Sequence, residues 1–310
     1  MAPQKGLGQA GGGWREGNRE PHTPVMLREV LEWLAVKPSG TYIDATLGAG
    51  GHSEAIAQRL TSGRLISLDR DEQALELGRE RLKSFGEKVT LVQSPFSRIA
   101  EVAHELGIPP VDGVLADLGV SSMQLDRPER GFSFREAGPL DMRMQADDEL
   151  TAEEIVNRWP ERELADLLYR EADEHDSRRI ARAIVRARPI RDTAHLATVV
   201  AGARKQWGRQ RLHPATKTFL ALRIAVNREL EELGQFLSRT PATLISGGRC
   251  VVLSYHSRED RIVKFAYQEA ARAGTMRILT RHVIQPTEEE MERNPRSRSA
   301  KLRCAERVQS

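Results

Sequence analysis

The chain has 310 residues, 39% hydrophobic and 29% charged, the composition of a globular protein with a large core rather than of a fibrous or membrane-embedded one. Its two cysteines, Cys250 and Cys304, have neither CxxC nor metal-ligand spacing, which points to a reducing compartment and away from a zinc site. The net charge of +3 is too small to name a partner, and no apolar run approaches the roughly 18 residues of a membrane span, so a soluble, cytoplasmic protein is expected.

Residues 1–21, with Gly11-Gly12-Gly13 and almost no apolar side chains, read as a disordered arm. Short apolar runs then recur at Thr41–Ile43, Leu65–Leu68, Val89–Val92 and Gly113–Ala116, separated by helical patterns such as Ser53–Leu60 and Gln73–Phe85. That alternation predicts a parallel sheet covered by helices. From Arg127 to His213 no convincing strand occurs, and Ala152–Trp159, Glu161–Arg170 and Ser177–Arg188 read as helices. Pro214 opens what reads as one long helix, with an apolar stripe of Phe219, Leu222, Val226, Leu230, Leu233 and Leu237. Strand patterns return at Arg249–Ser254, Met276–Thr280 and Leu302–Ala305. The expected organisation is an α/β domain over 22–126 and 214–310, interrupted by an all-helical insertion over 127–213.

Charge is unevenly placed. Asp147–Asp176 holds twelve acids and three bases, whereas Arg178–Lys217 holds eleven bases and one acid, and a further basic cluster gathers Arg293, Arg296, Arg298, Lys301, Arg303 and Arg307. Within Ser177–Arg188, the spacing puts Ile180, Ala183, Ile184 and Ala187 on one helical face and Arg178, Arg182 and Arg186 on another. Such patches suit a polyanion such as nucleic acid, and equally suit solvated faces.

The first strand runs into Asp44-Ala45-Thr46-Leu47-Gly48-Ala49-Gly50-Gly51-His52-Ser53, a glycine loop at the edge where α/β sheets bind ligands. Ser53 stands where a dinucleotide fingerprint has its third glycine. Asp69 closes the second run eighteen residues after Gly51 and could accept from both hydroxyls of a ribose. Phe96 follows the third run and could stack on an adenine, or belong to the core; Asp117 closes the fourth. Dehydrogenases using NAD and methyltransferases using S-adenosylmethionine both employ such an edge, and the missing third glycine favours the methyl donor, which carries no pyrophosphate.

Beyond Asp117 the chain reads DLGVSSMQLDRPERGFSFREAGPLDMRM, and later HPATKTFLALRIAVN, LSYHSREDRIVK and NPRSRSAKLR. With HTPVML at His22–Leu27 and DATLGAGGHS, these stretches closely resemble the bacterial ribosomal RNA small-subunit methyltransferase H family, over about His22 to Arg307. The resemblance implies a Rossmann-like class I methyltransferase sheet, S-adenosylmethionine as cofactor, and methylation of the exocyclic N4 of a cytidine in the decoding region of 16S rRNA. The partner would be small-subunit ribosomal RNA or the 30S subunit. It implies a donor site at Gly50, Gly51, His52, Asp69, Phe96, Asp117 and Gln124, the last supplied by the resemblance alone. The chain departs from the family pattern at Leu220, at Tyr255 and Arg258 within SYHSREDR, and around Arg170.

Because the N4 lone pair of cytosine is delocalised into the ring, transfer to it needs alignment and an acceptor for the N–H, and no metal. Asp117 is the first candidate acceptor, with donor binding as its alternative role. His256 and Asp260, just beyond the Arg249–Ser254 strand, could orient the base or take the proton, or could form a helix start. Arg178, Arg182, Arg186, Arg296 and Arg298 are the candidates for flanking phosphates. A dehydrogenase and a non-catalytic RNA-binding assembly factor remain the rival readings.

Overall fold

The computed structural model describes residues 23–204 and 213–308; the expected arm over 1–21, and Lys205, Arg209 and Arg211 of the basic block, lie outside the described residues. Helix α1 (Leu27–Leu34) leads into β1 (Thr41–Asp44). Helix α2 (Gly51–Ala57) then precedes β2 (Arg64–Asp69), α3 (Glu72–Leu82) precedes β3 (Val89–Gln93), and α4 (Ile99–Glu105) precedes β4 (Val111–Asp117). Strands β1, β2 and β4 are apolar runs because a parallel sheet is buried on both faces, whereas β3, at the edge of the sheet, is only partly covered. Neighbouring side chains accordingly enter different cores: Ile43, Ile66, Val114 and Val252 pack on one side, and Tyr42, Leu65, Leu115 and Val251 pack on the other.

After β4 the chain leaves the sheet. Helices α5 (Ser122–Leu125), α6 (Ala152–Arg158), α7 (Glu161–Ala172), α8 (Ser177–Ala187), α9 (Thr193–Ala203) and α10 (Thr216–Asn227) follow. They share a core built on Ile155, Leu164, Leu168, Ile184, Leu196 and Leu222. The chain then returns through α11 (Glu229–Thr243), β5 (Leu244–Ser254), α12 (Ser257–Arg272), β6 (Met276–Ile278), α13 (Glu288–Arg293) and β7 (Lys301–Arg307).

The long helix expected from Pro214 is two helices. Arg228 adopts a left-handed conformation at φ 50° and separates α10 from α11. The apolar stripe serves two cores: Phe219, Leu222 and Val226 pack among the helices, whereas Leu233, Phe236 and Leu237 pack on the sheet. A straight helix cannot face both. The bidentate pair from Arg223 to Glu229, with both contacts at 2.7 Å, spans the break. The helical core therefore extends to Asn227, past the boundary expected at His213.

The strand order is β3-β2-β1-β4-β5-β7-β6. Strands β1 to β5 run parallel, and β7 is antiparallel to both β5 and β6. The chain runs outward from β1 to β3 and then jumps back to β4, so the β1/β4 boundary is a topological switch, the place where the carboxyl ends of the strands leave a crevice.

Candidate active site

The glycine loop lies at that crevice. The Gly48 amide donates to Asp69 Oδ2 at 2.8 Å, and the Asp71 amide donates to Asp69 Oδ1 at 2.9 Å, so the acid at the end of β2 holds both the loop and its own turn. Further lone pairs on each oxygen remain for a ligand hydroxyl. Burial pushes the Asp69 carboxyl up to about 6, against the two amide bonds, which lower it.

The glycines serve different neighbours. Gly48, at φ +52°, would point a side chain into open space about Ser121, whose Cβ would be 3.8 Å away. A Cβ on Gly51 would instead fall 2.4 Å from Pro24 Cγ, and one on Gly50 would meet Arg81 at 3.3 Å. Gly50 and Gly51 thus admit protein, and Gly48 is the glycine whose space stays open.

The Asp117 amide donates to Thr46 Oγ1 at 2.6 Å, tying the end of β4 to the glycine loop. On the carboxylate, the Tyr255 hydroxyl donates to Oδ1 at 2.6 Å, and His52 Nδ1 stands 3.6 Å from Oδ2. His52 Nε2 lies 2.9 Å from the Val25 carbonyl oxygen, which only accepts, so Nε2 carries the proton and Nδ1 faces Asp117 with a lone pair. Burial lowers the imidazole pKa and keeps the ring neutral. Burial likewise pushes the Asp117 carboxyl up to about 7; the Tyr255 bond lowers it and the charge of Glu259 raises it.

Phe96 is half-buried, packed edge-on against Phe236 at 5.4 Å between centroids, so its ring is partly core and partly open. Gln124 is buried and already engaged: its Nε2 donates to Asp71 Oδ2 at 2.8 Å, and its Oε1 accepts from the Ser121 amide at 3.0 Å. It braces the loop after β4 against the turn after β2.

His256 and Asp260 are occupied by the architecture of α12. His256 caps that helix, its Nδ1 accepting from the Glu259 amide at 3.4 Å, while Glu259 Oε2 accepts from the Tyr255 and His256 amides. Asp260 accepts from Arg303 Nε at 2.6 Å and lies 3.5 Å from Lys301 Nζ, which pins α12 to β7. Burial alone would raise the Asp260 carboxyl, but these two cations hold it below the ordinary carboxylate range.

Two features of this edge escaped the sequence. Asp44, fully buried at the end of β1, accepts from Ser53 Oγ at 2.6 Å and from the Thr46 amide at 3.1 Å, and burial pushes it up to about 6. Its position closing an apolar run, like that of Asp69 and Asp117, was the available signal. Tyr255 becomes the partner of Asp117 only through strand pairing, in which Asp117 lies opposite Leu253.

Beside Tyr255 opens a cavity of about 290 Å³, lined by His256, Ser257, Gln285, Met291 and Arg298 among others. Arg178, Arg182 and Arg186 are exposed on α8, Arg182 lying 3.4 Å from Glu161. Arg296 is paired to Asp126 at 2.9 and 3.1 Å, and Arg298 is exposed at the cavity. The five arginines thus fall on two surfaces. Among the described residues, no group of three or more His, Cys, Asp or Glu side chains is placed to hold a metal ion, and no helix is long and apolar enough to cross a membrane.

A seven-stranded sheet in this order, with one antiparallel strand, a glycine loop after β1 and acids closing β2 and β4, is the Rossmann-like fold of a class I methyltransferase that uses S-adenosylmethionine. The chain belongs to the MraW methylase family, whose family model matches residues 19–308. It is similar to the ribosomal RNA small subunit methyltransferase H of Koribacter versatilis, with 52% identity over 296 residues, 92% of this chain and 94% of that protein. The protein of the same name from Dehalococcoides mccartyi is 50% identical over 305 residues, 93% of this chain and 87% of its own length. Among solved structures, an rRNA methylase from Streptococcus thermophilus aligns with a TM-score of 0.45 at 12% identity, covering 91% of this chain and 96% of its own. With the family, the dehydrogenase reading falls.

Proposed function

We propose that this enzyme methylates the exocyclic N4 of a cytidine in the decoding region of small-subunit ribosomal RNA, acting in the cytoplasm on the RNA or on the assembled 30S subunit. The ribosomal substrate rests on the relatives, which carry that name at about half identity over nearly the whole chain. The observation that carries the chemistry is Asp117, an acid at the switch of the sheet whose hydroxyl partner, Tyr255, lines a cavity, and whose carboxyl burial pushes up to about 7.

Bound S-adenosylmethionine supplies an activated methyl group. The residues present fit it: Gly48 leaves backbone open, Asp69 keeps acceptor capacity for ribose hydroxyls, Phe96 offers part of a ring, and His52 and Asp117 line the crevice. Gly50, Gly51 and Gln124 hold that arrangement from behind.

In its ionised form Asp117 accepts from the N4 amine, which localises the nitrogen lone pair toward the methyl group. The Tyr255 hydroxyl steadies the carboxylate while one oxygen stays available. His256 and Asp260 act at one remove, setting the start of α12 and so the backbone that carries Tyr255. A cytidine within stacked RNA cannot present its amine here and must be splayed out. The cavity beside Tyr255 receives it, Arg296 and Arg298 hold phosphates near it, and Arg178, Arg182 and Arg186 hold RNA farther away. In this reading the catalytic domain is formed by the segments before Arg127 and after Asn227, and the helices between them form the RNA-recognition domain.

The test is methyl transfer from labelled donor to small subunits from cells lacking this gene, followed by digestion to nucleosides. Label is expected in N4-methylcytidine; label in any other nucleoside, or none in RNA, would overturn the proposal.

A further inference from the structure

The turn Asp69–Asp71, where β2 gives way to α3, is tied to the helical insertion by two arginines that cross in opposite directions, and a third, Arg127, donates to Gln73 Oε1 at 2.8 Å just beyond it. Arg70 leaves the turn and donates to the Asn227 carbonyl oxygen at 2.9 Å and to Asp148 Oδ2 at 3.0 Å. Arg130 comes from the insertion and donates to Gln73 Oε1 at 2.8 Å and Asp71 Oδ2 at 2.9 Å. The nitrogen of Arg130 that reaches Asp71 also meets the carbonyl oxygens of Arg143 and Met144, at 3.0 and 3.2 Å. Asn227 closes the ring by bonding the Met142 carbonyl and the Met144 amide, both at 2.8 Å.

These contacts are largely shielded from water: both arginine side chains are 15% exposed, Asp71 is 5% exposed and Asp148 is 27% exposed. Exposed ion pairs of this kind would carry little energy, whereas breaking a buried, fully hydrogen-bonded one leaves a charge stranded. Their location matters more than their strength. The Asp71 that Arg130 grips sends its own amide to Asp69 Oδ1, and Asp69 Oδ2 takes the Gly48 amide. The insertion has its own apolar core, in which this turn takes no part. The guanidinium of Arg130 therefore spans the donor edge of the sheet and the backbone of the insertion.

We infer that Arg130 is a positioning residue for the methyl donor, fixing the Asp69–Asp71 turn from within the helical insertion, so that donor binding and the set of the insertion are coupled. The inference rests on placing the donor ribose at Asp69. A coupling of this kind is reciprocal, so an RNA that engages the insertion alters donor affinity by the same factor that the donor alters RNA affinity.

Hydrogen exchange of the full chain, with and without S-adenosylhomocysteine, tests it. In the wild-type protein the ligand should slow exchange in the glycine loop over 46–53 and also across 140–148, on the far side of Arg130. Arg130→Lys keeps the charge and loses the fork. Affinity for S-adenosylhomocysteine should fall about tenfold, and at saturating ligand the protection should persist over 46–53 and vanish over 140–148. Wild-type protection confined to the sheet edge would overturn the inference without any variant being needed. So would an Arg130→Lys protein that keeps both its affinity and the remote protection. If Asp69→Ala binds S-adenosylhomocysteine as the wild type does, the placement of the donor fails instead.

Discussion

The Tyr255 hydroxyl donates to Asp117 Oδ1 at 2.6 Å, joining the ends of two adjacent parallel strands, β4 and β5, across the carboxyl edge of the sheet. Only the ionised carboxylate can draw on an N4 proton, and burial sets this carboxyl at about 7. Single-turnover methyl transfer at saturating donor should therefore rise with pH through about 7 and level off above it. In Asp117→Asn the step should slow by about 10²–10⁴-fold, lose that inflection, and leave S-adenosylhomocysteine affinity much less affected. A large loss of affinity with a near-normal rate would make Asp117 a donor ligand only.

Tyr255→Phe removes a bond that lowers the Asp117 pKa. The inflection should move to higher pH, with the rate several-fold lower near neutrality and close to wild type on the alkaline plateau. A uniform loss at every pH would instead mean that the hydroxyl acts on the substrate.

The same acid affects stability with a definite sign. A carboxyl whose pKa is raised on folding binds more protons in the native state, so its contribution is fully present below about 4 and is lost as pH rises through about 7. Asp117→Asn relieves a buried charge and supplies an amide opposite the His52 lone pair. By calorimetry it should melt above wild type at pH 8, by about 1–3 kcal/mol of stability, and the gap should narrow by pH 5. An equal gap at both pH values would exclude charge burial as the cause.

Asp69→Ala deprives the Gly48 and Asp71 amides of their acceptor as well as removing the proposed ribose contact. S-adenosylhomocysteine binding should weaken by about 1–3 kcal/mol in titration calorimetry, with the fold retained by circular dichroism. Unchanged affinity would remove Asp69 from the donor site.

Replacing Arg178, Arg182 and Arg186 with Gln should reduce the salt dependence of RNA binding, each lost phosphate contact lowering the slope by about 0.7–0.9. Arg182, close to Glu161, should contribute least. Donor affinity should not move. An unaltered slope would identify this face as solvated surface.

Strands β1, β2 and β4 were legible because burial on both faces turns them into apolar runs, and Asp69 and Asp117 were legible because an acid closing such a run breaks it visibly. What escaped depended on distant partners. The apolar stripe passes through Arg228 without interruption, since periodicity does not record which of two cores a residue enters. Gly51 reads as a gap for a ligand until Pro24 is seen filling it. His256 and Asp260 have the chemistry of a catalytic pair, and only the return of β7 reveals that Arg303 and Lys301 claim Asp260.

The departure of the chain from the sheet after β4 also constrains how the protein is made. The edge of β4 that will receive β5 stays unpaired until Leu244 emerges, long after Asp117 has been synthesised. Over that interval a nascent half-sheet presents an open row of amides and carbonyls, the kind of edge that recruits another chain. The intervening helices make mostly local contacts and form quickly, whereas pairing β4 with β5 must close the longest loop between any two paired strands and is slow. Aggregation during expression or refolding should therefore start from this interior strand, which in the finished molecule is covered on both sides and along both edges.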